Sequence, residues 1–296
     1  MKRIFITGGT GFVGKNVINF LGNNYNYTFH VRNNNININH DIVLHFAGLA
    51  HDTKYTTNPE EFYISNLDFT KSVFDNFLIS TSKVFIFLSS VKAVADHFEG
   101  ELSEDVIPNP ISHYGNSKLK AENYIFSKLI PQGKRVYVLR PCMIHGPGNK
   151  GNLNLIYNFI SNGFPWPLGA FDNSRSLLSI DNLSFVIKEL IDREDIPSGI
   201  YNIADDMPLS TKEIIKLIAL TKERKAIILN LNKNLIKRFA LLGDSLKLSI
   251  NSDRLHKLTE SYVVSNTKIK VALGKNLPIS SKDGLMITFK SFSNIG

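Results

Sequence analysis

Apolar residues along this chain fall into short continuous runs separated by longer stretches with helical spacing. Arg3 to Ile6 reads as a buried strand, followed by a glycine-rich loop and a helix with Val13, Val17, Phe20 and Leu21 at helical spacing. Tyr27 to Val31, Asp41 to Phe46, Lys83 to Ser89 and Val136 to Leu139 predict four further strands, with helical patterns near 59–79 and 112–129. Strands alternating with helices predict an α/β fold: a parallel sheet covered on both faces, with right-handed crossovers.

From about Gly148 the texture changes. Gly, Asn and Pro become frequent through NGFPWPLGAFDN, two helical patterns follow near 181–192 and 210–221, and Ala226 to Leu231 is strand-like. The expected organisation is a cofactor-binding region over 1–147 and a smaller, mainly substrate-binding region over 148–296, with room for a late strand returning to the main sheet. The asparagine-rich stretch Asn33 to Asn39 reads as a loop.

The 296 residues suit one large unit or two coupled ones, and a hydrophobic content of 43% is ample for a core. No run of about eighteen apolar residues predicts membrane insertion, and the start of the chain lacks a signal-peptide pattern, so a cytoplasmic location is expected. The single cysteine, Cys142, fits a reducing compartment and is expected to be a buried structural thiol. The net charge of +8 reads either as a solvated basic surface or as attraction for an anionic ligand. The positive charges are scattered and form no nucleic-acid motif, so no nucleic-acid partner is expected.

Candidate chemistry begins at the first loop. Gly8, Gly11 and Gly14 lie between a strand and a helix, as a dinucleotide fingerprint requires. Gly8 permits the turn, Gly11 lets the backbone approach a pyrophosphate, and Gly14 lets helix and strand pack closely. The second strand ends His30-Val31-Arg32-Asn33, without the acid that meets the ribose of NAD. Arg32 is either a partner for the extra phosphate of NADP or a solvated arginine. Tyr114 and Lys118, four apart on a predicted helix, share one face. An ammonium beside a phenol lowers its pKa and makes it an acid or base near neutral pH. Ser89 and Ser90 end the fourth strand, where such sheets face their ligands. The histidines, His113 included, show no metal-ligand spacing, and no metal is expected.

These features together resemble the extended short-chain dehydrogenase/reductase family, in its nucleotide-sugar epimerase and 4-ketoreductase branch. TGGTGFVG, DIVLHFAGLAH, the helix FYISNLDFTKSV with its structural Asn66, VFIFLSS, YGNSK and LRPCMIHGPGNKGN match in order. The resemblance implies a Rossmann-type doubly wound parallel sheet with a smaller C-terminal domain. It implies NADP or NAD held by Gly8, Thr10, Gly11, Phe12, Val13, Gly14, Arg32, Ala47, Gly48, Leu49, Tyr114, Lys118 and Pro141. A gap-free match makes Ser90, not Ser89, the catalytic hydroxyl beside Tyr114 and Lys118. Ser90, Lys92 and Arg175 would face a nucleotide sugar, with Arg175 on its diphosphate. Asp181 takes the family's acidic helix start, where an N-cap role is expected. Family members imply a homodimer, and Phe62, Leu67, Val73, Phe74 and Phe77 serve equally as part of such a face or as core.

Four departures shape the implied function. Asp41 follows Arg32 by only nine positions, too few for a parallel crossover of about a dozen residues, so one strand after the second is expected to be missing. Val91-Lys92-Ala93 lacks the Asp-Glu pair of dehydratases. Met143 stands where many 4-epimerases have asparagine. His145 replaces the usual tyrosine, and a packed ring is the expected reading. The nearest subgroup reduces UDP-4-keto-6-deoxy-N-acetylhexosamines for surface polysaccharides. A UDP-sugar 4-epimerase with bound NAD is the alternative, and a non-enzymatic dinucleotide sensor is the reading from another class.

Overall fold

The computed structural model describes residues 1–31, 35–49, 58–149, 151–245 and 251–293, with the backbone alone for Asn152. The first half runs β1 (Lys2–Thr7), α1 (Phe12–Leu21), β2 (Tyr25–Phe29), β3 (Ile42–His45), α2 (Glu60–Tyr63), α3 (Phe69–Ile79), β4 (Val84–Leu88), β5 (Glu101–Leu102), α4 (His113–Phe126) and β6 (Arg135–Pro141). Then come β7 (Met143–His145), α5 (Asn152–Ser161), β8 (Leu177–Ser179), α6 (Ile180–Asp192), β9 (Gly199–Ile203) and α7 (Thr211–Leu220). The chain continues through α8 (Lys233–Ser245), α9 (Ser252–Thr259), β10 (Val263–Val264), α10 (Thr267–Leu273) and α11 (Ser281–Ser293).

Six parallel strands form the central sheet in the order β2-β1-β3-β4-β6-β9. The inner strands are apolar on both sides because helices cover both faces. Along β4, Ile86 enters one core while Phe85 and Phe87 enter the other, the two-residue period of a strand. The first core is closed by Val17 and Leu21 of α1 and by Leu183, Val186, Ile187 and Leu190 of α6. The second is closed by Val73, Phe74 and Phe77 of α3 and by Ala121 and Ile125 of α4. A third cluster, with Tyr157, Trp166, Ile214, Ile218, Leu285 and Phe289, joins α5, α7 and α11.

The edge strand β2 alternates polar and apolar and is largely exposed. Among the described residues nothing pairs beyond it, in agreement with the short connection after Arg32. The late strand β9 lies beside β6.

Several elements differ from expectation. Phe20 is 42% exposed, because Val17 and Leu21, four apart, share the inward stripe and Phe20 falls beside it. The second strand starts at Tyr25, and 226–231 makes only isolated pairings, Ile228 with Trp166 and Asn230 with Leu168. The 59–79 helix is interrupted by a π-turn at Ile64–Asp68. Phe62, Val73, Phe74 and Phe77 are buried in the chain's own core and Leu67 packs against it, so core packing accounts for all five. Among the described residues no helix is long and apolar enough to cross a membrane.

Candidate active site

The loop after β1 has the geometry of a phosphate cradle. Gly8 has φ +72°, and a Cβ on it would meet the Ala47 nitrogen at 2.6 Å. A Cβ on Gly14 would meet the Gly8 carbonyl oxygen at 2.5 Å, so helix and loop touch backbone to backbone. Gly11 is the N-cap of α1, with no side-chain cap and no acid in the first turn. The helix therefore presents its first N–H groups and positive dipole end unmasked, as a pyrophosphate requires. Thr10 is exposed beside them, and Phe12 and Val13 are half-buried. A cavity of about 330 Å³ adjoins the loop, lined by Gly9, Thr10, Lys15, Ile18, Asn19 and Phe29. Lys15 was not singled out in the sequence, although it follows Gly14 directly. Arg32 lies outside the described residues.

Beyond β3 the chain passes through Ala47, Gly48 and Leu49, and buried polar groups hold it there. The Thr70 hydroxyl donates to the Asn66 carbonyl at 2.6 Å, so it accepts from Nε2 of His45 at 2.9 Å. Nδ1 of His45 then accepts from Thr7 at 2.6 Å. Burial, with Lys118 nearby, pushes the His45 pKa down to about 3, so this imidazole is a neutral strut. Asn66 lies in the π-turn, a distortion common at functional sites. Its side chain accepts from the Leu49 nitrogen at 2.8 Å and donates to the Leu49 carbonyl at 3.0 Å and the Ser117 hydroxyl at 2.9 Å. One amide thus ties the loop after β3 to α4.

The two serines after β4 diverge. Ser89 donates to Glu122, whose carboxylate holds Arg140 through Nη2 at 2.5 Å and Nε at 3.1 Å. All three are buried. Ser90 instead accepts from the Lys92 nitrogen at 3.2 Å, capping the short turn Val91–Ala93. The Tyr114 phenol lies near enough to Ser90 for the serine to lower its pKa. Tyr114 sits in the first turn of α4, whose N-cap Ser112 accepts from Gly115 at 3.0 Å. Lys118, one turn on, donates to the Leu88 carbonyl at 2.9 Å and lies 4.7 Å from the Phe87 ring centroid. A Cβ on Gly48 would meet the Lys118 nitrogen at 3.0 Å, so the lysine stands between α4 and the loop after β3.

The electrostatics differ from those the Tyr-x-x-x-Lys spacing suggests. Burial raises the Tyr114 pKa, Ser90 lowers it, and Glu122 raises it; the first effect wins. Burial also pushes Lys118 down to about 8. The lysine does not pull the phenol towards phenolate here, because its ammonium is committed to the Leu88 carbonyl and both groups are desolvated.

In the turn after Ser90, Lys92 donates to the Asp96 carbonyl and lies 4.6 Å from the Tyr262 ring centroid. Arg175 donates to the Lys257 carbonyl. Burial lowers the pKa of both cations, and Glu260 opposes that shift. His97 and His256 both pair with Glu260, and their ligand atoms lie within 4.8 Å of one another. Spacing alone missed this cluster, since 163 positions separate His97 from Glu260. Pro141 ends β6. Next to it Cys142 is buried, its thiol pKa raised well above the usual value, as a structural thiol should be. His145 is a packed ring, bonded to Thr288 at 2.8 Å. Asp181 is not the N-cap of its helix: Ser179 is, accepting from the Asp181 nitrogen at 3.3 Å.

A family model described as NAD dependent epimerase/dehydratase family matches residues 35–204. The chain is 28% identical to the UDP-glucose 4-epimerase of Vibrio cholerae, over 98% of this chain and 95% of that one. It is 24% identical to the GDP-6-deoxy-D-mannose reductase of Pseudomonas aeruginosa, over 74% of this chain and 79% of that one. Among solved structures it is similar to RMD from Pseudomonas aeruginosa complexed with NADPH, with a TM-score of 0.76 at 20% identity, covering 100% of this chain and 99% of that one.

Proposed function

The chain belongs to the NAD dependent epimerase/dehydratase family, and from that premise we propose that it carries out NAD(P)-dependent oxidoreduction at carbon 4 of a UDP-linked hexose or N-acetylhexosamine, as a 4-reductase of a UDP-4-keto-6-deoxy sugar. The observation that carries this reading is the buried Tyr114 phenol, its pKa lowered by neighbouring Ser90, with Lys118 one helical turn behind it. Burial keeps that phenol protonated at neutral pH, the form a reductase needs to hand a proton to a ketone oxygen.

The cradle at Gly8, Gly11 and Gly14 would hold the dinucleotide pyrophosphate, and Ala47, Gly48, Leu49 and Pro141 would flank the rest. When bound, the nicotinamide supplies the hydride. Ser90 orients the ketone oxygen, Tyr114 protonates it, and Lys118 holds the ribose side. Lys92 and Arg175 take the diphosphate, for which a guanidinium is well shaped. Lys15 beside the loop, and the absence of an acid at the end of β2, favour NADP over NAD. In this division residues 1–147 bind the cofactor and 148–296 mainly bind the sugar nucleotide. We place this enzyme in the cytoplasm and expect it to act as a homodimer, which its mass in solution would test.

Water loss at carbon 6 is disfavoured. The turn after Ser90 carries no carboxylate, and the next one, Asp96, accepts from the Ile111 and Ser112 nitrogens at 2.7 and 2.8 Å. Those bonds outweigh its burial and keep it ionised.

The epimerase relative, matched over 98% of this chain, supports a second reading, 4-epimerisation with retained NAD. A reductase consumes NADPH in step with a UDP-4-keto-6-deoxy-N-acetylhexosamine. An epimerase interconverts UDP-N-acetylglucosamine and UDP-N-acetylgalactosamine without added reductant, and that result would replace the first reading. Full turnover by Tyr114→Phe would remove both.

A further inference from the structure

Helix α8 reverses the usual arrangement of a surface helix, whose apolar stripe faces the core. Its small residues Ala240 and Gly243 are buried, and the helix packs on α9. The large apolar residues point the other way: Leu235 is 50% exposed, Phe239 60% and Leu242 57%. Spaced four and three apart, they form one stripe on the helix surface. Arg238 lies beside that stripe, and Lys237 and Lys233 are exposed further round the helix, Lys233 5.8 Å from the Phe171 ring centroid; the helix carries one acid, Asp244, near its end. The segment leading into it also exposes Leu229 and Leu231.

We propose that α8 is a membrane-surface helix that docks the protein on bilayers with anionic headgroups. Leucine and phenylalanine beside lysine and arginine are what an interfacial helix needs: apolar side chains enter the acyl boundary while the cations meet lipid phosphates. Charge decides among the occupants. A second copy of the chain would bring the same cations and the same net +8 against this face. A nucleic acid would satisfy the cations and leave the leucines and Phe239 in water. An anionic bilayer satisfies both sets. The docking is peripheral, since none of the described helices is long and apolar enough to cross a membrane.

The placement matters for the crevice. Arg175 donates to the Lys257 carbonyl of α9, and α9 is the helix on which α8 rests. A docked α8 therefore brings Arg175, which the proposed function places on the diphosphate, near the lipid headgroups.

The test is co-sedimentation of the full chain with phosphatidylcholine vesicles, with and without phosphatidylglycerol. The wild type is expected to pellet with the anionic vesicles and to be released as salt rises. Leu235→Ser/Phe239→Ser/Leu242→Ser should bind at least about tenfold more weakly, since each side chain removed from the acyl region costs a sizeable fraction of that factor or more. Its melting temperature and turnover should match the wild type. Lys233→Gln/Lys237→Gln/Arg238→Gln keeps the apolar stripe and should lose the preference for anionic vesicles, which guards against misfolding of the first variant. A wild type that stays in the supernatant overturns the proposal, as do variants that pellet unchanged. A serine variant whose only change is a smaller oligomer assigns the face to a contact between copies and also overturns it.

Discussion

The ammonium of Lys118 lies 2.9 Å from the carbonyl oxygen of Leu88, held in a place where burial has moved its pKa from 10.5 to about 8. A charge held where burial penalises it lowers stability. At about 1.4 kcal/mol per unit, this gap sets a ceiling of about 3 kcal/mol at neutral pH. Lys118→Met should therefore raise the melting temperature at pH 7 while cutting turnover at least about a hundredfold, a trade between stability and activity. The folded pKa lies below the unfolded one, so the penalty is full below pH 8. It fades as pH rises from about 8 towards 10.5, and wild-type stability should gain on the variant's across that window. Thermal unfolding of both proteins over the range checks the sign. A variant less stable than the wild type at pH 7 would contradict it.

Tyr114 is raised by burial and lowered by Ser90, which predicts two different pH profiles. Reduction uses the protonated phenol, so its rate should stay flat through neutral pH and fall above about 8, where Lys118 loses its charge. The reverse oxidation needs the phenolate and should climb with pH. Tyr114→Phe should cost about 10²- to 10⁴-fold in kcat with cofactor affinity little changed. Ser90→Ala removes the group that lowers the Tyr114 pKa, so the oxidation limb should move to higher pH. A limb that moved lower would place Ser90 elsewhere in the mechanism.

Asn66 makes three side-chain hydrogen bonds at once, two to Leu49 and one to Ser117. Asn66→Ala strands these partners, at about 1–3 kcal/mol for each buried group left unsatisfied. The variant should melt at a lower temperature and show a raised KM for the dinucleotide, because the loop at Gly48 and Leu49 is no longer tied to α4. Asn66→Asp keeps the acceptor for the Leu49 nitrogen but offers no donor, so it should recover only part of the loss. Equal KM values for all three proteins would detach this network from cofactor binding.

The parts of the fold legible in the sequence are those built from local pattern. β1, β3, β4 and β6 are continuous apolar runs because both faces are covered, and Gly8 and Gly14 are glycines because no Cβ fits beside Ala47 or the Gly8 carbonyl. Tyr114 and Lys118 were visible because four residues make about one helical turn. What stayed hidden depends on distant partners. β5 pairs Glu101 with Val263, and two-residue strands leave no periodicity to read. Spacing placed Lys118 near Tyr114 but said nothing of solvent, so it gave the wrong direction for the phenol. Glu122 did leave a signal: it lies four residues after Lys118, on the same face as Tyr114.

That acid makes the last prediction. Glu122 and Arg140 are almost wholly buried and share the site with the Ser89 hydroxyl. Glu122→Gln leaves an uncompensated guanidinium inside the protein and should destabilise it by about 3–5 kcal/mol. Glu122→Leu/Arg140→Met removes both charges and should recover most of that loss, since a buried pair offsets little more than its own desolvation. If the pair served stability alone, the double variant would also recover turnover. The geometry argues otherwise: Ser89 is anchored by Glu122, and the next residue is Ser90, whose hydroxyl must meet the Tyr114 phenol. The double variant should thus be folded, bind cofactor normally and turn over more slowly, with kcat lowered and KM for the dinucleotide unchanged. Calorimetry with steady-state kinetics separates the two roles, and full kcat in a stable double variant would reduce this ion pair to packing.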